Sequence, residues 1–352
     1  MVVARVSAPK FDARFDRQVR FAPLGAAGQA RLEQASVLVV GCGALGGSLA
    51  LQLVRSGVGH VRLVDRDVVE LTNLPRQVLF EERHIGRPKA LAAQETLARI
   101  GGPSRVEALA EHVDADNLAE LARGAQLVLD GTDNLATRYL INDFCVERGL
   151  PWIYGGVVGA AGLVLPIVPQ LGPCLRCVFP EPPPPGALPT CDTAGVILPA
   201  VAAIAALQCA AALRLVATPR ERWSEIEPHL IELDVWRLES RVLSAARDPQ
   251  CPCCGAREFP YLDASGEGLA ISLCGRNTVQ VRPGGGARAA ADLPALAARL
   301  EASGFELVLA DGVLRFSAEG KRFTVFRDAR ALIEGLEDPA RARALYDRFL
   351  GS

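Results

Sequence analysis

The sequence predicts an α/β fold, with a doubly wound, mostly parallel sheet and a smaller C-terminal α+β module. Three observations carry that expectation. Short apolar runs ending in glycine or aspartate alternate with helical stretches from residue 36 to 154. The first run, SVLVVG (36–41), opens into Gly41-Cys42-Gly43-Ala44-Leu45-Gly46, a glycine turn between a strand and a helix. After Phe259 the composition shifts to a Gly/Arg/Ala-rich tail with strand and helix signals of its own.

Residues 1–35 read as an N-terminal arm and helix, 36–259 as the main domain and 260–352 as the module. SVLVVG suits a buried parallel strand, and a helix follows from Ala44 to Arg55. VRLVD is a second strand ending at Asp65, and Lys89 to Ile100 has helical spacing. RVEAL reads as a strand, Asp114 to Arg123 as a short capped helix, and QLVLD (126–130) as another buried strand. A helix runs from about Asn134 to Arg148, and PWIYGG begins the next strand. The pattern then changes. VVGAAGLVLPIV suggests a hairpin, PEPPPPGALPT (180–190) is a loop, an apolar helix follows, and IELDVWRLE is a single strand candidate. In the module the expected order is strand (NTVQVRP), Gly-rich turn, helix Leu293 to Ala302, strands FELVLADGVLRFS and KRFTVFRD, and a closing helix Pro339 to Leu350. No chemical motif stands out there.

The 352 residues are 50% hydrophobic and 22% charged, a globular balance. Lys+Arg 38 against Asp+Glu 40 leaves a net charge of −2, and no long basic run suggests a nucleic-acid partner. MVVARVSAPKFDARFDR has no apolar core of signal-peptide length, so the expected location is cytoplasmic. The uncharged stretch Ala194 to Leu213 has the length of a membrane span, but its alanines, Pro199 and Gln208 better suit a helix in a core or subunit interface. No membrane association is expected.

Gly41, Gly43 and Gly46 form G-x-G-x-x-G in the context where a helix N-terminus receives a phosphate. Asp65 ends the second strand, where an acidic side chain holds ribose hydroxyls. These two features alone would make an NAD-dependent oxidoreductase the default. The next stretch, D-R-D-V-V-E-L-T-N-L-P-R-Q followed by Gly86-Arg-Pro-Lys89, changes the balance. Asn73, Arg76 and Lys89 fall on loops beyond the sheet's ligand edge, and two cations there suit a triphosphate better than a dinucleotide. Asp133, after QLVLD, is placed to hold magnesium against those phosphates. The blander roles are a turn residue for Asn73, solvated charges for Arg76 and Lys89, and a helix N-cap for Asp133. Each suffices singly; their convergence on one edge favours nucleotide chemistry.

The ordered set D-x-D-x-V-x-x-x-N-L-x-R-Q, G-x-P-K and T-D-N, with R-F-D-R-Q-V (14–19) upstream, resembles the ThiF/MoeB family of ubiquitin-activating-enzyme-like adenylyltransferases. The resemblance covers roughly residues 10 to 255 and is nearest the longer bacterial ThiF-type members. It implies a Rossmann-like fold of the ubiquitin-activating-enzyme type and ATP-dependent activation of a ubiquitin-like sulfur carrier protein. The carrier's C-terminal Gly-Gly carboxylate would attack the ATP α-phosphate, giving an acyl-adenylate and pyrophosphate. A sulfur donor, such as a cysteine desulfurase or rhodanese, would then form the thiocarboxylate for thiamine or molybdenum cofactor biosynthesis. By the same resemblance Gly41, Gly43, Ala44 and Gly46 border the nucleotide, Asp65 holds the ribose, and Asn73, Arg76, Gln77 and Lys89 surround the phosphates. Asp133 coordinates Mg2+, with Asn134 beside it. Many members have glycine where Ala44 stands. Arg17 is implied to reach the neighbouring subunit's phosphates, which makes a homodimer the expected assembly. A non-catalytic nucleotide-binding scaffold is the remaining alternative.

Cys174-x-x-Cys177 and Cys251-x-x-Cys254 supply four thiolates at the spacing of a structural Zn2+ site. Cys253 is surplus. Cys42, Cys145 and Cys209 lie in apolar settings and are expected in the core, while Cys274 has no assigned role. Cys191, in P-T-C-D-T-A-G, corresponds by resemblance to a loop cysteine that in some members takes part in sulfur transfer. A small residue packing the loop, or an exposed thiol without a role, is the equal alternative.

Overall fold

Strand β1 (Ser36–Val40) occupies the middle of the large sheet, and its Val37, Leu38, Val39 and Val40 are all buried. Such a run, apolar on both faces, belongs where helices cover both sides. The computed structural model describes residues 12–184, 189–263, 270–273, 277–283 and 290–351. Within them the sheet comprises β1, β2 (His60–Val64), β3 (Arg105–Leu109), β4 (Leu127–Asp130), β5 (Trp152–Val158), β6 (Ala161–Ile167), β7 (Leu230–Asp234) and β8 (Glu239–Leu243). Their order is β3-β2-β1-β4-β5-β6-β7-β8. The first five lie parallel; β6, β7 and β8 are antiparallel additions.

Alternation along β1 divides the interior in two. Val37 and Val39 join Leu49, Leu53, Ala93, Ile204 and Cys209 from the helices Ala44–Arg55, Lys89–Ile100 and Leu198–Ala217. Leu38 and Val40 join Val128, Tyr139, Phe144 and Cys145 of the opposite face, covered by the helix Leu135–Arg148. The helix Gly25–Gln34 packs on Leu198–Ala217, with Arg31 Nε donating to the Ala217 carbonyl at 2.6 Å.

Three expectations change in detail. IELDVWRLE is two strands, because Asp234 Oδ1 accepts the N–H groups of Trp236 and Arg237 and Leu238 takes φ 58°, turning the chain into the β7–β8 hairpin. The helix expected over 114–123 contracts to Leu118–Leu121, since Asp114 spends its carboxylate on the N–H groups of Asp116 and Asn117. The apolar helix runs Leu198–Ala217, beginning only after Gly195 (φ 74°), with Pro199 in its first turn. Among the described residues it is the one helix long and apolar enough to cross a membrane. Its Val201, Ile204, Gln208 and Cys209 are buried against the protein interior.

The C-terminal residues form a second sheet, antiparallel throughout, of β9 (Ala270–Leu273), β10 (Thr278–Val281), β11 (Leu307–Ala310), β12 (Val313–Ala318), β13 (Lys321–Phe326) and β14 (Ala331–Glu334). The order is β11-β12-β13-β14-β10-β9. Asp292 and Asp338 cap the helices Leu293–Ala302 and Pro339–Phe349, which cover a core of Val279, Leu314, Phe316, Phe323, Ile333 and Leu345. Val313, Phe326 and Leu332 form a small apolar cluster with Val68 of the large domain. Ion pairs Arg87–Asp311 (2.6 Å) and Arg282–Asp114 (2.9 Å) flank it.

Candidate active site and metal centre

In the sheet register Val40 lies opposite both Val64 and Asp130. Gly41, Asp65 and Gly131 therefore leave the carboxyl edge together, where open parallel sheets receive ligands. Gly41 turns the chain at φ 89° while its N–H donates to the Val64 carbonyl at 2.7 Å. A Cβ on Gly46 would stand 1.7 Å from the Gly41 carbonyl oxygen, and one on Gly131 would stand 2.6 Å from Gly46 Cα. Backbone-to-backbone packing thus excludes any side chain at these two positions. Gly43 differs: a Cβ there would have only Gln77 Nε2 near it, at 3.8 Å. Gly43 also caps the helix Ala44–Arg55 without a side-chain bond, which leaves first-turn N–H groups for an anion.

Asp65 ties this turn to the second strand's exit. Its Oδ2 accepts the Cys42 N–H at 2.6 Å and its Oδ1 accepts the Asp67 N–H at 2.7 Å. Burial raises its pKa above the ordinary aspartate value, and the Lys89 charge pulls it back. The Cys42 thiol beside it is pushed well up by burial, which makes it an inert packing group. From Asp65 the chain enters a two-stranded ribbon: Lys89 N–H donates to the Asp67 carbonyl (2.9 Å), Val69 N–H to that of Arg87 (2.9 Å) and Gly86 N–H to that of Val69 (2.7 Å). The ribbon brings Lys89 Nζ to 3.3 Å from Asp67 Oδ2, with both residues buried.

Asn73 is buried and folds its own turn, its Oδ1 accepting the Glu70 N–H at 3.1 Å. Arg76 Nη1 donates to the Thr72 carbonyl at 2.7 Å. Gln77 is 4% exposed, and its Oε1 has no hydrogen-bond partner among the described residues. The Gln77 atom nearest the unobstructed Gly43 is Nε2, so the buried amide presents a donor to the glycine turn, as an anion there would need.

At the end of β4 a buried network sets the loop. Asp130 accepts Arg138 Nε (2.9 Å), Thr132 N–H (2.8 Å) and Thr132 Oγ1 (2.7 Å). Arg138 Nη2 reaches the carbonyls of Thr132 and Gly155, and its guanidinium lies over the Tyr154 ring at 5.2 Å. Gln208 Nε2 donates to the Asp130 carbonyl at 2.9 Å. The helix N-cap is Asn134, whose Oδ1 accepts the Thr137 N–H at 2.8 Å. The capping role weighed for Asp133 therefore falls to its neighbour, and Asp133 is exposed on the loop at the crevice edge.

The sulfurs of Cys174, Cys177, Cys251 and Cys254 all lie within 4.8 Å of one another. Cys174 is 3.6 Å from Cys251, and Cys177 is 3.3 Å from Cys254. Four thiols converging from two distant loops fit one tetrahedral soft-metal ion better than any disulfide pattern. Cys253 is not one of the four: it lies beside Cys174 and accepts Asn142 Nδ2 at 3.2 Å. The same Asn142 receives the Leu175 N–H through Oδ1 at 2.8 Å, which locks the Cys174 loop onto the helix Leu135–Arg148.

Residues 15–253 match the ThiF family. This chain belongs to that family. It is 41% identical to the sulfur carrier protein ThiS adenylyltransferase of Bacillus subtilis (strain 168), over 96% of this chain and 99% of that protein. The sulfur carrier protein adenylyltransferase of Thermus thermophilus is likewise 41% identical, over 69% of this chain and 90% of its own length. Among solved structures, E. coli MccB with ATP superposes with a TM-score of 0.58 at 23% identity, covering 70% of this chain and 75% of MccB. That likeness establishes the ThiF-type fold.

Arg17 is not brought to its own crevice. The short helix Asp16–Val19 is anchored by Phe15, buried against Gly57, and by Gln18 Nε2, which donates to the Ser56 carbonyl at 2.9 Å. Ser56 follows the far end of Ala44–Arg55, about 18 Å from the glycine turn at 1.5 Å per residue. Arg17 itself is exposed. The backbone of Cys191 opens the helix Cys191–Ala194, and its loop is pinned to the β5–β6 turn by Gly159 N–H to Gly195 carbonyl (2.8 Å) and Ile197 N–H to Gly159 carbonyl (3.1 Å). The Cys191 side chain and all of Cys274 lie outside the described residues. Cys42, Cys145 and Cys209 are buried as expected.

Sequence reading assigned no role to Asp67, Asp130, Arg138 or Gln208. Asp67 had a signal, since D-R-D places two acids on one face just beyond a strand. Arg138 stood inside T-D-N-x-x-x-R, but nothing local indicated that it would be buried.

Proposed function

We propose that this ThiF-family protein is an ATP-dependent adenylyltransferase that activates the C-terminal Gly-Gly carboxylate of a ubiquitin-like sulfur carrier. The observation that carries the reading is the glycine turn at the sheet edge, with the Gln77 amide donor over Gly43 and with Lys89 held against Asp67 next to Asp65. The names of the Bacillus relative, similar over 96% of this chain, and of the Thermus relative, similar over 69%, support it. In the reaction, a carrier carboxylate oxygen bonds to the α-phosphorus of ATP. The bond to the bridging oxygen breaks, and pyrophosphate leaves with the electron pair.

No proton moves in that step, because the carboxylate is already ionised at neutral pH. The protein's work is to align two anions and offset their charge. Gly41, Gly43, Ala44 and Gly46 admit the phosphates, Asp65 receives the ribose hydroxyls, and Asn73, Arg76, Gln77 and Lys89 border the triphosphate. Asp133, with Asn134 beside it, would hold Mg2+, which neutralises phosphate charge when bound. Cys174, Cys177, Cys251 and Cys254 would hold Zn2+ as a fold-stabilising clip. The persulfide of a sulfur donor such as a cysteine desulfurase or rhodanese then displaces AMP to give an acyl disulfide. A second thiol cleaves it, leaving as a disulfide with the donor sulfur and releasing the thiocarboxylate for thiamine or molybdenum cofactor synthesis. Cys191 would act only there, so Cys191→Ala should leave adenylation unchanged.

We further infer a cytoplasmic homodimer. Arg17 is anchored away from its own crevice and is exposed, a placement that suits delivery to a partner's site. An oxidoreductase reading leaves Lys89, Arg76 and the four cysteines without tasks. Incubation with ATP and Gly-Gly-tailed carriers, read by intact mass, tests the proposal. An acyl-adenylate is expected, and an ATP-dependent thiocarboxylate when a sulfur donor and a reducing thiol are added. Carriers unchanged in mass, with nicotinamide cofactor bound instead, would overturn it.

A further inference from the structure

We propose that the C-terminal module is a working part of the nucleotide site and that Arg330 is its positioning residue, an inference that rests on the ATP-using reading above. Arg330 is 1% exposed at the contact between the two sheets. Its Nη1 donates to the Arg66 carbonyl at 2.7 Å and its Nη2 to the Ala110 carbonyl at 3.4 Å. Nη1 also faces Gln280 Oε1 at 3.5 Å, Nε faces Asp328 Oδ2 at 3.4 Å, and the guanidinium lies 3.8 Å from the Phe326 ring centre. Ala110 comes directly after β3 and Arg66 two residues after β2, the paired strands whose last partners are Val64 and Leu109. One planar fork therefore spans the exits of two neighbouring strands, with the Asp65–Asp67 segment beside it.

The module grips the adjoining ribbon at further points. Val68, between Asp67 and Val69, is buried with Val313, Phe326 and Leu332. The Arg315 guanidinium lies over Gly86, where an added Cβ would stand 1.5 Å from Nη1 and φ is 82°. Gly86 is required by its φ of 82°, and the Arg315 guanidinium of the module fills the space left by its missing side chain. At the rim of this face Asp311 also pairs with Arg87, but Arg87 is separately held by Glu95 at 2.7 Å, so this partly exposed pair is not one of the points that fix the ribbon. Both strands of the ribbon that sets Lys89 against Asp67, and through the Asp67 N–H sets Asp65, are held by this one face.

An interface needed only for adhesion would be served as well by apolar packing, since a buried cation is expensive to desolvate. A fork bonded to main-chain carbonyls gives directional placement instead. Placement matters at this site because phosphoryl chemistry depends on sub-ångström alignment of charges.

The test compares full-length wild type, Arg330→Met, Arg330→Lys and Asp311→Ala for ATP KM and kcat in carrier-dependent pyrophosphate exchange, with ATP affinity measured separately by calorimetry. Arg330→Met should lose about 10- to 100-fold in kcat/KM for ATP while the carrier KM stays constant. Arg330→Lys should recover part of that loss, and Asp311→Ala, which opens only the peripheral ion pair, should keep the wild-type ATP parameters. If Arg330→Met does not fold, Arg330→Lys decides: a charge without the fork should still weaken ATP severalfold. Wild-type ATP parameters in a folded Arg330 variant, or equal losses in Asp311→Ala, would overturn the proposal. Absence of exchange in the wild type would refute the adenylation reading instead, and the calorimetric ATP affinities would still decide the role of Arg330.

Discussion

Lys89 Nζ stands 3.3 Å from Asp67 Oδ2, and the Lys89 N–H donates to the carbonyl of the same aspartate at 2.9 Å. The pair is held at two levels, main chain and side chain, inside a ribbon that cannot slide without breaking both. Buried ion pairs add little net stability, but removing one partner leaves an uncompensated charge. Lys89→Met should remove phosphate stabilisation, lowering pyrophosphate exchange by about 10²–10³, and should also lower the denaturation midpoint by leaving Asp67 unpaired by Lys89. Asp67→Asn should likewise destabilise the fold, by about 3 kcal/mol, seen as a lower denaturation midpoint. An Asp67→Asn protein as stable as wild type would show that the pair is not needed to hold Lys89.

Asp133→Ala should abolish carrier adenylation and leave the melting temperature unchanged. The side chain is exposed, and the helix cap beside it belongs to Asn134. Exchange near the wild-type rate in this variant would remove Asp133 from the mechanism.

One zinc ion per chain is expected, with binding energy that is also folding energy. Strong chelators and Cys174→Ser should both lower thermal stability, whereas Cys253→Ser should retain zinc because Cys253 bonds Asn142 and is not one of the converging four. Zinc-free protein after purification without chelators would count against the site.

Asp65 supplies a pH signature. Its folded-state pKa is raised above the ordinary 3.8, first by burial, so between those two values the folded chain holds a proton that the unfolded chain has released. Its contribution to stability is therefore greatest below 3.8 and falls as pH rises through the folded-state value. Asp65→Asn should flatten this part of the stability–pH curve. An identical slope in the variant would assign the titration elsewhere.

Arg17→Ala and Asp133→Ala chains should each be inactive alone. Mixed dimers should recover about half of the activity, because one of their two sites then carries neither defect. Heterodimers verified by mass but without activity would show that Arg17 does not act across an interface.

The nucleotide-binding half was legible because each signal was local. SVLVVG followed at once by G-x-G-x-x-G specifies a strand, a turn and a helix within a few residues, and β1, Gly41 and the helix from Ala44 follow that order. Cys174-x-x-Cys177 and Cys251-x-x-Cys254 announced their meeting through ligand chemistry, although the two loops are far apart in sequence. What stayed hidden was either conformational or distant. The β7–β8 turn depends on Asp234 folding the main chain back, and β8 is exposed along its whole length, so no alternation marked it. Strand β14 has only four residues, too few for a periodic signal. Arg330 touches Arg66 across 264 positions, and nothing in its own neighbourhood indicates a buried guanidinium.

ATP–pyrophosphate exchange measured with and without a Gly-Gly-tailed carrier tests the central claim most directly. Isotope from labelled pyrophosphate should enter ATP only when the carrier is present, and deletion of its terminal glycine should stop it. Exchange that is independent of the carrier, or absent with every Gly-Gly carrier offered while ATP still binds, would contradict carrier adenylation as the function of this protein.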